Sequence, residues 1–218
     1  VLLPGQRKCA TLHLVAGTRR RTQRRRPPTM ATINIIFAGV GGQGIVTASD
    51  VVASAALSAG WDVKKAETHG MAQRGGAVVS HVRLAPDGRV HSPLIPDGDA
   101  HYLLALELLE GLRWLWMLRP DGMVIADRRR IVPSSVRQQG VAYPEEAEER
   151  LAARGLVLPA TDEAAALGEP RAANGVLVGA LATRLELPET AWRDAFAACF
   201  RPRALDVNSL VGNAAKLL

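Results

Sequence analysis

No stretch of this chain approaches the roughly 18 consecutive apolar residues that a membrane-spanning helix needs, so no membrane role is expected. Cysteine is nearly missing: Cys9 and Cys199 stand alone, far apart, without a CxxC companion. Two such residues build no disulfide framework. Nor does the chain by itself offer the four thiolates of an iron–sulfur cluster or a structural zinc site. A reducing cytoplasm is the simplest setting. Aromatic residues are only 4% of the chain, so the core is expected to rest on Ala, Val, Leu and Ile. Acidic residues are absent from positions 1–29, which carry eight basic ones: Arg7, Lys8, Arg19, Arg20, Arg21, Arg24, Arg25 and Arg26. The formal net charge of +6 belongs to this segment, because the rest of the chain sets 19 Lys and Arg against 21 Asp and Glu.

A run of mutually repelling arginines buries nothing, so residues 1–29 are expected to be a disordered basic extension. They also hold no aromatic residue and no serine. The first absence disfavours a nucleic-acid-binding arm and the second a transit presequence. Leu12–Ala16 is too short for a signal-peptide core. The reading frame is expected to open at Met30, with 30–218 forming one domain of ample size for a real core.

The body reads as α/β. Ile33–Ala38 is a buried strand, Ile45–Ala59 a helix closed by Gly60, and Asp62–Glu67 a second strand. Ala77–Leu84 predicts a third strand, turning at Pro86-Asp87-Gly88 into an antiparallel return over Arg89–His91. His101–Leu106 and Met123–Ala126 follow as strands around a helix over Glu107–Leu118, with a turn at Pro120-Asp121-Gly122. Glu145–Arg154 predicts a charged surface helix, Gly155–Leu158 a last strand, and Asp162 the cap of a short helix. Asn174–Leu187 predicts an amphipathic helix, Pro188 opens another that reaches Phe200, and Asp206–Leu218 predicts a terminal one.

Two glycine-rich corners stand out. Gly39-Val40-Gly41-Gly42-Gln43-Gly44 lies between the first strand and helix and satisfies G-x-G-x-x-G, with Glu67 at 23 positions beyond Gly44. Glycine there permits positive φ and close backbone approach, and a helix N-terminus favours anions. The spacing resembles a dinucleotide-binding loop with its ribose acid. Spacing alone leaves that reading open beside tight strand–helix packing or the approach of another subunit. The second corner, His69-Gly70-Met71-Ala72-Gln73-Arg74-Gly75-Gly76, has no periodicity. It collects a titratable imidazole, an amide and a guanidinium fork between glycines, as an interaction surface would. Both corners are expected at one edge of the sheet. No Ser/His/Asp set is evident. His81, His91 and His101, ten apart, lack metal spacing, and Asp97-Gly98-Asp99 reads as a turn. Trp114-Leu115-Trp116-Met117 is expected in the core or at a subunit contact.

The segments GVGGQG at 39–44, ETHGMAQRGG at 67–76, VVSHVR at 78–83, SPLIP at 92–96 and RAAN at 171–174 together resemble the gamma component of 2-oxoacid:ferredoxin oxidoreductases. The HGMAQRGG form is similar to that of the beta-subunit branch acting on indolepyruvate. Gamma chains for pyruvate or 2-oxoglutarate more often carry a YGPExRGG-like loop. The resemblance implies a three-layer α/β/α fold with a mixed, mostly parallel sheet and a Rossmann-like first βαβ unit. It implies a large alpha subunit holding thiamine diphosphate and [4Fe-4S] clusters, coenzyme A as co-substrate, and ferredoxin as acceptor. Arylpyruvates would be oxidatively decarboxylated to aryl-acetyl-CoA, with no catalytic residue, metal or cofactor held by this chain. Gly39, Gly41, Gly42, Gln43 and Gly44 would lie at a cofactor. His69, Gly70, Met71, Gln73, Arg74, Gly75 and Gly76 would lie at the substrate or partner interface. The alternatives are an independent NAD(P)-dependent dehydrogenase and a gamma subunit for another 2-oxoacid. Arg128-Arg129-Arg130 and the basic extension depart from the family pattern.

Overall fold

A run apolar on both faces suits a strand covered from both sides, and Ile33–Val40 forms such a strand, β1, at the centre of the sheet. Ile35 and Phe37 point into one apolar layer, Ile36 and Ala38 into the other. The computed structural model describes residues 32–69, 76–132 and 142–200. The basic extension at 1–29, the loop core at 70–75 and the helix expected over 206–218 lie outside these residues.

Helix α1 (Ile45–Ser58) follows β1. It ends where glycine was expected to end it. Gly60 takes φ 83, its N–H donates to Leu57 O at 3.0 Å, and Trp61 N–H donates to Ala56 O at 3.0 Å. These two bonds are the Schellman closure, which a residue with a Cβ enters only at a cost. Strands β2 (Asp62–His69) and β3 (Ala77–Ala85) come next, then β4 (Ala100–Ala105), α2 (Leu108–Trp114), a 3₁₀ turn at Leu115–Met117, and β5 (Leu118–Asp127). The remaining elements are α3 (Ala147–Ala152), β6 (Gly155–Leu158), α4 (Ala160–Ala166), a 3₁₀ turn at Pro170–Ala172, α5 (Ala173–Ala182) and α6 (Glu189–Cys199).

Among the described residues the sheet has six strands in the order β2-β3-β1-β4-β5-β6. Only β3 runs against its neighbours. The fold is therefore α/β with a mixed, mostly parallel sheet between two helical layers. Residues of α1, α4, α5 and α6 share one core with Ile35, Phe37, Leu104 and Ile125. Residues of α2 and α3 share the other with Ile36, Leu103 and Val124. The first βαβ unit is present, but β3 is inserted between its two strands.

Four local expectations are corrected. Arg89–His91 is not a strand; the antiparallel partners of β3 are β1 and β2, which satisfy the backbone hydrogen bonds along both of its edges. Pro120-Asp121-Gly122 is not a turn ahead of a strand but runs inside β5, where the register against β4 shifts between Ala100 and Tyr102. That irregularity absorbs the missing proline N–H. Helix α5 is not amphipathic: Asn174 through Leu181 are all buried, since α5 lies in the middle of its layer. Asp162 is not a cap; it sits in the first turn of α4 after Pro159 and bonds the Arg128 guanidinium.

Candidate functional site

Strands β1, β4 and β5 end side by side, and their connections leave toward opposite layers. Such a divergence opens a crevice beyond the carboxyl ends of the strands. Here it is a cleft of about 450 Å³, lined by Val40, Gly41, Gly42 and Gln43 after β1, Leu106 after β4, Asp127, Arg129 and Ile131 after β5, and residues of α4 and α5.

The glycine corner is held by its own side chain. Gln43 Oε1 accepts the Val40 N–H at 2.6 Å, and Gln43 Nε2 donates to Leu106 O at 2.7 Å, locking the β1 corner to the β4 corner. A Cβ at Gly39 would stand 2.8 Å from that Oε1 and 3.0 Å from Leu106 Cβ, so glycine is needed there for this brace. Gly42 and Gly44 take φ 98 and φ 82. A Cβ at Gly44 would run into Asn174 Nδ2, which donates to Gly44 O at 3.0 Å. Gly39 and Gly44 therefore shape the corner from behind, whereas Gly41, Gly42 and Gln43 face the cleft.

The first corner touches the last residue of the second. Gly41 N–H donates to Gly76 O at 2.8 Å. Of the second corner only His69, as the last residue of β2, and Gly76 fall within the described residues; the His69 side chain and Gly70, Met71, Gln73, Arg74 and Gly75 do not. VVSHVR and SPLIP are joined away from the cleft. His81 Nδ1 accepts the Ile95 N–H at 3.3 Å, and Arg83 donates to the Ser92 and Leu94 carbonyls at 3.0 and 3.1 Å.

Four residues at or beside the cleft escaped the sequence reading of the site: Asp127, Arg129, Thr161 and Asn174. Asp127 is 1% exposed. Its carboxylate accepts the Thr161 hydroxyl, and the Thr161 N–H at 3.3 Å. Burial pushes its pKa above the ordinary range; the Thr161 bonds, the Arg129 amide and the Arg129 charge act in the opposite direction. The neighbours of Arg129 are neutralised, Arg128 by Asp162 and Arg130 by Glu148 at 4.0 Å. Arg129 is exposed and makes no ion pair within 4 Å among the described residues. Of the triple arginine that looked like a departure from the family, Arg129 is thus the member that lines the cleft without an ion-pair partner among the described residues. A visible signal was the RRR run itself, directly after a strand. Among the described residues no three His, Cys, Asp or Glu side chains gather as metal ligands, and no helix is long and apolar enough to cross a membrane.

The raised Asp127 pKa carries a sign. The folded chain holds this proton more tightly than the unfolded one, so the associated stability is full below the ordinary carboxylate range, near pH 4, and is lost as pH rises through the raised value. Urea midpoints measured across that window should fall for the wild type relative to Asp127→Asn, which lacks the titration. Glu107 and Glu110, raised by burial, and His81 and His101, lowered chiefly by burial, titrate in both proteins and cancel in the comparison. Parallel profiles would remove Asp127 from the pH dependence.

The profile of the pyruvate ferredoxin/flavodoxin oxidoreductase family matches residues 34–216, and the chain belongs to that family. Its relatives include indolepyruvate oxidoreductase subunit IorB of Archaeoglobus fulgidus, 42% identical over 161 residues, covering 72% of this chain and 79% of the relative. The fold matches the gamma subunit of a keto/oxoacid ferredoxin oxidoreductase from Geobacter sulfurreducens, with TM-score 0.61 at 20% identity over 84% of this chain and 99% of that one. It also matches 2-oxoglutarate:ferredoxin oxidoreductase from Magnetococcus marinus, a structure with 2-oxoglutarate, coenzyme A and succinyl-CoA bound. There the TM-score is 0.64 at 20% identity, over 85% of this chain and 31% of that longer one.

Proposed function

We propose that this chain is the small, non-autonomous subunit of an indolepyruvate:ferredoxin oxidoreductase, and that its cleft receives the phosphate-bearing part of coenzyme A. The observation that carries the second part is Arg129, the cationic side chain among the described cleft-lining residues, set opposite a glycine corner. Gly42 is exposed there at φ 98, so the backbone can come close to an anion without side-chain obstruction. A planar guanidinium is suited to phosphate oxygens. The first part rests on the relative named as an indolepyruvate oxidoreductase subunit and on the family membership.

The large subunit would hold thiamine diphosphate and [4Fe-4S] clusters, which supply decarboxylation and single-electron transfer to ferredoxin. This chain would supply position. Asp127 and Thr161 fix the floor of the cleft, Gln43 fixes the glycine corner, and Arg129 holds the anion. The 69–76 corner, rooted at Gly76 beside Gly41, is proposed as the docking edge for the large subunit, with His69, Gly70, Met71, Gln73, Arg74 and Gly75 contributing.

Two features count against a free-standing NAD(P) dehydrogenase. Strand β3 lies between β1 and β2, so Glu67 is two strands, or roughly 10 Å, from the strand bearing the glycine corner. Glu67 also pairs with Lys65 at 2.7 Å.

The test is reconstitution. The chain produced alone should not reduce ferredoxin with indole-3-pyruvate and coenzyme A. Co-production with a large subunit bearing thiamine-diphosphate and cysteine-cluster signatures should restore turnover. Turnover by the isolated chain would overturn the proposal.

A further inference from the structure

Glu107 is a carboxylate where the fold has little reason to place one. It is the N-cap of α2 and 1% exposed. Helix N-caps favour Ser, Thr, Asp and Asn, whose short side chains reach the first-turn amides. A buried carboxylate is costly unless its oxygens are well partnered. Glu107 spends one oxygen on capping: Oε1 accepts the Glu110 N–H. Its other oxygen reaches in a different direction, where Oε2 accepts the Tyr143 hydroxyl at 3.2 Å and lies 3.5 Å from the Ile131 N–H donor.

The second oxygen thus reaches the segment that carries Arg129. The Leu108 N–H, next to Glu107, donates to Arg129 O at 3.0 Å. Ile131, two residues beyond Arg129, is held by Glu107 directly. Arg130 lies over the Tyr143 ring, 5.7 Å from its centroid, and Tyr143 is bonded to the same carboxylate oxygen. On the near side, Arg128 N–H donates to Leu158 O at 2.9 Å, which ties the start of the segment to β6. Glu107 itself does not line the cleft, although Leu106, Arg129 and Ile131 do. Oε2 is therefore the member of this set that joins the β4–α2 corner to the far side of the arginine's segment.

We propose that Glu107 is a positioning residue for the coenzyme A site, its longer reach fixing the 128–131 segment so that Arg129 presents its guanidinium to the cleft. This rests on the reading of the cleft as the coenzyme A site. Glu107 is chosen by length: aspartate at 107 would still cap α2, yet is one methylene too short to hold Ile131 and Tyr143.

The test uses the assembled two-subunit enzyme with coenzyme A as the varied substrate. Glu107→Asp should raise the KM for coenzyme A about 3- to 10-fold, corresponding to the loss of one or two ordinary hydrogen bonds, with kcat within about twofold. In an Arg129→Ala background the same substitution should add nothing, because its effect passes through the arginine. Tyr143→Phe, which leaves the cap untouched, should raise the KM about 2- to 5-fold and serves if Glu107→Asp fails to assemble. Wild-type KM in both variants, alongside a raised KM in Arg129→Ala, would overturn the positioning role and leave the cleft reading standing. An equal rise from Glu107→Asp with and without Arg129 would also overturn it. A wild-type KM in Arg129→Ala itself would overturn the cleft reading, and the positioning role with it.

Discussion

Arg129→Ala in the assembled enzyme is expected to raise the KM for coenzyme A about 10- to 100-fold, the loss of a charge-assisted hydrogen bond or two. Because the proposed contact is to a part of the ligand remote from the reacting thiol, ground state and transition state lose it equally, and kcat at saturation should stay near wild type. Arg129→Lys keeps the charge without the planar fork and should fall between the two. The wild-type KM should also climb with ionic strength, since Arg129 is exposed and screening weakens its field. Steady-state kinetics with coenzyme A varied at saturating indole-3-pyruvate and ferredoxin reads all of these. An unchanged KM in Arg129→Ala would place the anion elsewhere.

Gly155→Ala is expected to cost the fold about 3–5 kcal/mol, at the upper end for single substitutions. A Cβ at 155 would stand 2.7 Å from Val124 N and 2.9 Å from Val124 C, with Val124 O nearer still. These are backbone atoms of β5 and cannot rotate aside, so β6 must separate from its neighbour. In a domain of this size the melting temperature should drop by about 6–20 °C. Gly168→Ala is the control. Gly168 takes φ 83 with nothing near its absent Cβ, so it tests positive φ alone, expected to cost about 1–2 kcal/mol. Equal melting temperatures for the two variants would deny that backbone collision matters at Gly155. The substitution also bears on the cleft, because β6 leads directly into α4, whose Thr161 holds Asp127.

Much of the chain was legible because its signals are local. The Ile33–Ala38 run, the Gly60 stop and the Gly155–Leu158 strand each depend on a few adjacent residues, and the structure places all three within a residue or two. The return over Arg89–His91 failed because a turn motif at Pro86-Asp87-Gly88 says that the chain bends, not what the next segment pairs with. The helix at α5 was found, but its burial on every side was not, since that depends on neighbours distant in sequence. Of the site, the position of the glycine corner was legible, but not that Gly39 and Gly44 would shape it from behind. Its far wall was not: Asp127 lies just past the expected strand and Arg129 stood out only within a run that departs from the family pattern, until the fold brings Thr161 and Gln43 beside them.

The sequence by itself determined that this polypeptide folds as alternating strands and helices, that its corners at 39–44 and 69–76 are glycine-shaped, and that it resembles one oxidoreductase family. Those properties are written in composition, short periodicities and short motifs, which act over one or two turns of chain. Only the tertiary structure decided that β3 slips between β1 and β2, that Asn174 covers Gly44 from 130 positions away, and that one arginine of three lines the cleft. Each of these is a choice of partner. Partner choice is settled by burial and pairing summed over the whole domain, because strands and charges of similar pattern are interchangeable until the core selects among them.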